Sequence, residues 1–215
     1  MKKSVYSIVL ADEVVAAIDD MAYTLGTSRS NLINQILAER VSMMTPEMRM
    51  RDILERIEQL MSGRLLQVAQ STGSAMMLKS PLKYKYRPTV NYSVELSRSF
   101  SGTVGRLKIS LRTQSESLIT MITGFFKLWI SLEGKYLSRI IKTGNPWSGG
   151  GASFAREFYS PGGSQLSDEQ IAEAVGGYVN LLDECIRLYF ENENGAAEQI
   201  EQKYKEYLAK GVVIL

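Results

Sequence analysis

The chain has 215 residues, 25 Lys plus Arg against 23 Asp plus Glu, no histidine, one cysteine and 45% apolar residues. An apolar fraction near the globular average supplies a core for one domain or two and excludes a disordered tail protein. With Cys185 alone and no histidine, intrachain disulfides, Cys/His zinc sites, Ser-His-Asp or Cys-His catalysis and histidine proton shuttling are excluded.

That inventory leans away from an enzyme, and no metal or cofactor is expected. No apolar run reaches the ~18 to 20 uncharged residues of a membrane helix, and the N-terminus lacks a signal-type apolar region, so a soluble cytoplasmic protein is the expectation. The net charge of +2 hides an asymmetry: residues 1–70 carry 8 basic and 9 acidic groups, residues 71–115 carry 8 basic and one acidic, Glu95, and residues 143–215 carry 5 basic and 11 acidic. Such a positive block implies either an anionic partner or internal pairing with the acidic part.

From the N-terminus, Val5 to Leu10 read as a short strand, with Tyr6, Ile8 and Leu10 on one side and Val5, Ser7 and Val9 on the other. Asp12 is the expected cap of a helix whose stripe is Val14, Val15, Ile18, Met21, Ala22 and Leu25, stopped at Gly26. Ser28 caps a second helix with Leu32, Ile33, Ile36, Leu37 and Val41 on its stripe. One strand and two short helices cannot bury that surface alone, and an unpaired strand leaves its ladder groups unsatisfied. Dimerisation through the strand is therefore expected.

The run Ser4 to Val15, followed by Leu25-Gly-Thr-Ser-Arg-Ser-Asn-Leu-Ile33, resembles the ribbon-helix-helix (MetJ/Arc-type) DNA-binding family over roughly the first fifth of the chain. The resemblance implies a two-chain antiparallel ribbon in the major groove of double-stranded DNA and a backbone phosphate at the N-terminus of the second helix. Transferred to this chain, it makes Val5, Ser7 and Val9 the base-facing residues and Thr27, Ser28, Arg29 and Ser30 the phosphate clamp. Lys2 and Lys3 would add sequence-independent phosphate contacts. Two valines and a serine replace the polar readers usual at such positions, leaving thymine methyls and a few base edges to be read. A ribbon used only for dimerisation is the alternative.

Thr45 and Pro46 open a third helix with Ile53, Ile57, Leu60 and Met61 on its stripe and Arg49, Arg51, Arg56 and Arg64 around it. Met43 and Met44 read as adaptable packing, and residues 71–80 as a small-residue connection.

Leu82 to Ser97 alternate almost without break, which predicts a long strand with Pro88 at an edge or a break. A partner strand runs over residues 106–112. This basic hairpin, 82–113, is expected to present Lys83, Lys85, Arg87, Arg106, Lys108 and Arg112 on one solvated face. Two readings of that face stay open: a surface that tracks phosphates, or a solvated edge and docking site for the acidic C-terminal part.

Residues 115–142 read as a buried central helix, and the Gly-rich stretch after it as a loop, since no Lys-Ser/Thr follows to make a phosphate-binding loop. The connection to Gln165 carries aromatic anchors Trp147, Phe154, Phe158 and Tyr159. Ser167 and Gln170 form a capping box for a helix over 168–191, in which Cys185 is a packed thiol. A last acidic helix covers 196–210, and the tail Val212 to Leu215 is expected to be tied down.

The expected fold is α+β and mostly helical. A ribbon-helix-helix occupies 1–43, a connecting helix and linker 44–80, and an α+β domain 81–215. The expected function is a dimeric sequence-specific DNA-binding protein, most simply a transcriptional repressor, whose second domain oligomerises or receives a signal or protein partner. The alternatives are a partition or DNA-transfer accessory protein, and a structural protein that uses the N-terminal module only to dimerise.

Overall fold

A computed structural model describes residues 4–61, 66–100, 102–137, 146–160, 166–192 and 195–211. It is α+β, with six helices and one six-stranded antiparallel sheet among the described residues. In chain order the elements are α1 (Asp12–Thr24), α2 (Arg29–Arg40), α3 (Pro46–Met61), β1 (Gln67–Ser71), β2 (Ala75–Pro81), β3 (Thr89–Leu96), β4 (Thr103–Leu111), α4 (Glu116–Leu137), β5 (Trp147–Gly150), β6 (Ser153–Tyr159), α5 (Asp168–Glu191) and α6 (Ala196–Ala209). The sheet order is β1-β2-β3-β4-β6-β5.

Several ends are set by local chemistry. Ala11, rather than the expected Asp12, is the N-cap of α1, and Asp12 and Glu13 lie in its first turn, where the helix dipole favours them. That helix closes on Gly26 at φ 61°, with Gly26 N–H donating to the Tyr23 carbonyl and Thr27 N–H to Ala22, a Schellman arrangement that needs a left-handed residue. Ser28 Oγ accepts from Asn31 N–H at 3.3 Å and Thr45 Oγ1 from Met48 N–H at 3.1 Å. Ser167 and Gln170 form the capping box of α5.

The sheet is half-buried. In the row Met76, Val94, Leu107, Arg156, Trp147 and the row Leu78, Tyr92, Ile109, Phe154, paired residues line the inner face, which helices cover. The outer face carries Lys79, Asn91, Ser93, Glu95, Arg106, Lys108 and Glu157. Behind the inner face lies α5, whose Gly176 meets Ile57 and Leu60 of α3, whose Gly177 meets Tyr207 of α6, and whose Tyr189 reaches Gly124 of α4.

Four expectations are corrected here. The connection over 71–80 is a β-hairpin, β1 with β2. The stretch before Gln165 contains β5 and β6. The central helix is α5 rather than α4: fifteen residues of α5 are buried against eight of α4. Residues 44–80 are no connector, because Met50, Ile53, Leu54, Ile57 and Met61 of α3 and Met76 and Leu78 of β2 belong to the main core. The second structural unit therefore starts near Thr45, itself buried. A separate small core, Ile18, Ala22 and Leu32 with Ile33 against it, belongs to α1 and α2. Arg64, the tail 212–215 and the end of the helix expected to reach residue 142 lie outside the described residues.

Candidate functional site

The N-terminal unit presents its expected site residues to solvent. Residues 4–11 form no strand and have no ladder partner among the described residues, and Val5 and Val9 are 98% and 100% exposed. Ser7 is exposed as well, as are Ser28, Arg29 and Ser30 at the start of α2, while Thr27 is half-buried. Arg29 makes a two-point ion pair with Asp19 of α1. That hydrogen bonding holds the Asp19 carboxyl below its usual range and raises Arg29. Lys2 and Lys3 lie outside the described residues.

The six cations expected on one sheet face do not share it. Only residues 89–96 of the long predicted strand pair as β3, because the chain turns between Leu82 and Pro88, where Leu82 N–H donates to the Pro88 carbonyl and Arg87 N–H to Tyr84. Tyr86 and Arg87 there adopt positive φ, 67° and 45°, a conformation costing roughly 1–2 kcal/mol per non-glycine residue. Lys83, Lys85 and Arg87 thus stand on a loop, and Tyr86 is 83% exposed instead of packed. On the outer face of the sheet, Arg106 pairs with Glu157 at 3.0 Å and Lys108 with Glu95 at 3.4 Å. Arg112 follows β4, exposed.

What the loop cations do share is a cleft. The loop 82–88, the C-terminal half of α5 and α6 border an open cleft of about 1050 Å³, lined by Lys83, Lys85, Arg87, Arg187 and Lys203 against Glu184 and Glu191, with Leu82, Tyr84 and Leu188 as its apolar part. Tyr84 is held edge-on against Phe190, ring centroids 5.6 Å apart. Arg187 is anchored one turn back along α5 to the fully buried Asp183, whose Oδ1 accepts from the Tyr92 hydroxyl at 2.8 Å. Burial first, and then the Asp183 charge, push the Tyr92 hydroxyl well above the usual range, so it remains a donor. Lys203 pairs with Glu184 at 3.2 Å. Among the described residues, Lys83, Lys85 and Arg87 have no carboxylate partner.

Sequence reasoning missed Arg187 and Lys203, since both sit on helices whose overall character is acidic. Their spacing carries no signal, because only the fold brings α5 and α6 against the 82–88 loop.

A second polar centre is closed. Glu133 and Arg156 pair beneath β5 and β6, where the remaining cavity, about 10 Å³, holds at most one water. Cys185 is buried as expected, its thiol pushed up to about 12, chiefly by burial. Among the described residues no helix is long and apolar enough to cross a membrane. Comparison with protein-family models, with curated proteins and with solved structures finds no match in any of the three.

Proposed function

We propose that the chain acts as a homodimer that binds double-stranded DNA through its N-terminal unit, most simply as a transcriptional repressor. The observation that carries this reading is the imbalance of that unit. Among the described residues its own core is Ile18, Ala22 and Leu32, while Val5, Tyr6, Ile8, Val9, Val14, Met21, Leu25, Ile36, Leu37 and Val41 are all exposed. Isolated apolar residues at a surface need no explanation, but this many on two short helices and a leading segment do. A second copy supplies both the missing cover and the missing ladder for residues 4–11.

The resemblance to ribbon-helix-helix proteins adds the DNA. Paired segments would place Val5, Ser7 and Val9 in the major groove, and the capped N-terminus of α2, with its free amides beside Ser28, Arg29 and Ser30, would hold a phosphate. Phosphate contacts set register without reading sequence. Replacing Arg29 by Ala should therefore weaken binding to every duplex about equally. Unchanged affinity would remove the clamp from the account.

A second reading, dimerisation without DNA, is favoured by the charge of the unit. Residues 1–43 hold four basic groups, Lys2, Lys3, Arg29 and Arg40, against five acidic ones, and Arg29 is already paired with Asp19. A duplex must compete with that carboxylate for the guanidinium.

A further inference from the structure

We propose that the cleft between the 82–88 loop, α5 and α6 binds a small molecule bearing a polyphosphate group, held by Lys83, Lys85, Arg87 and Arg187. The site involves no residue of the N-terminal unit, so the inference goes beyond the DNA reading and stands without it.

Three observations carry it. The first is size: the open cleft of about 1050 Å³ lies just above the ~300–1000 Å³ typical of small-molecule pockets, room enough for a ligand of nucleotide size. The second is charge. Of the five cations, Arg187 is paired with Asp183 and Lys203 with Glu184, which leaves Lys83, Lys85 and Arg87 against Glu191. Lys83, Lys85 and Arg87 are exposed and have no carboxylate partner among the described residues, so their charge is left to attract an anion at the cleft.

The third is preorganisation. Asp183, fully buried and fixed by Tyr92, holds the guanidinium of Arg187 in place at the lining of the cleft. Arg187 lines the cleft with its side chain 19% exposed, while its Nη1 lies buried behind that surface. A planar fork already immobilised loses little entropy on meeting phosphate oxygens. Tyr84 and Leu188, both half-buried, then give the uncharged part of the ligand, a base or another apolar group, a surface beside the cations.

A duplex fits this cleft less well than a small molecule. Its backbone needs cations along a ridge, whereas these lie in a concavity whose far wall carries Glu191 and Glu184.

The test is isothermal titration of the full-length chain with ATP and with inorganic triphosphate at near-physiological salt. It is repeated on a Lys83→Glu, Arg87→Glu double variant, both exposed loop residues whose replacement leaves the core untouched. Saturable binding of ATP at one per chain, competed by triphosphate and weakened at least ~tenfold in the variant, is the expected result. No saturation by either probe up to about 1 mM, or equal affinity in the variant, overturns the proposal. So does a variant that loses duplex affinity while the wild type ignores triphosphate, an outcome that assigns the loop to a nucleic-acid backbone. Failure of duplex binding alone touches only the N-terminal reading.

Discussion

Arg156 Nε lies 3.1 Å from Glu133 Oε1, and the two side chains are 2% and 0% exposed. Arg156 occupies an inward position of β6 between Phe154 and Phe158, and Glu133 comes from the last third of α4. Trp147 donates its indole N–H to Glu133, and the guanidinium lies over the rings of Tyr178 and Phe158 at 4.7 and 5.2 Å. The pair thus joins the sheet to α4 and α5 inside an aromatic enclosure. Burial pushes the Glu133 carboxyl up, and Arg156 pulls it part of the way back.

Removing one partner leaves an uncompensated buried charge. Arg156→Met should lower stability by about 3–5 kcal/mol in urea unfolding, and adding Glu133→Leu should restore most of the loss. A double variant as unstable as the single one would show that the pair itself, rather than the orphaned charge, sets the cost.

Glu201 on α6 sets a pH dependence of the opposite kind. Hydrogen bonds from Lys135 and then Tyr136 hold its carboxyl down to about 2, against an ordinary 4.5. A carboxyl depressed by folding stabilises above its unfolded pKa and loses that contribution as pH falls through the folded one. Between about pH 4.5 and 2 the wild-type chain should therefore lose stability more steeply than Glu201→Gln. Parallel curves for the two proteins would contradict the pairing.

The thiol of Cys185 should be silent in the native protein. It is fully enclosed and pushed up to about 12, so neither access nor thiolate is available near neutrality. A disulfide-exchange reagent should titrate one thiol per chain only after denaturation, and rapid native reaction would show that α5 opens locally.

Dimerisation should depend on the first segment. Sedimentation equilibrium of the full chain is expected to give a dimer, and removal of residues 1–11 a monomer whose near-ultraviolet dichroism, from Trp129 and Trp147 in the second unit, is unchanged. A dimer that survives the truncation would move the interface elsewhere.

Much of the helical part was legible because caps announce it: Ser28, Thr45 and Ser167 each accept the backbone bond their position implies. The sheet was legible only where alternation is clean, as in β3 and β4. In β6 the inward row is Phe154, Arg156, Phe158, and an arginine at a core position reads as a solvent position unless its buried carboxylate is known. In β2 the inward row is Met76, Leu78 and Ser80, and the buried serine has the same effect. Alternation misled over residues 82–88, where Leu82, Tyr84 and Tyr86 share a parity that the left-handed turn at Tyr86 and Arg87 cancels. That turn puts Lys83, Lys85 and Arg87 on a loop instead of on the sheet face that alternation implies. The cleft depends on Arg187 and Lys203, which long-range packing brings near and no local pattern predicts.

The central claim, duplex recognition by a dimer of the N-terminal unit, is tested most directly by fluorescence anisotropy of the full-length chain. The probes are duplexes tiled across the region upstream of its own coding sequence, measured against scrambled DNA at fixed near-physiological salt. The account predicts a preference of at least ~10³ for one duplex, lost in the chain truncated by residues 1–11. Absence of binding, or equal affinity for every duplex that survives the truncation, would contradict it.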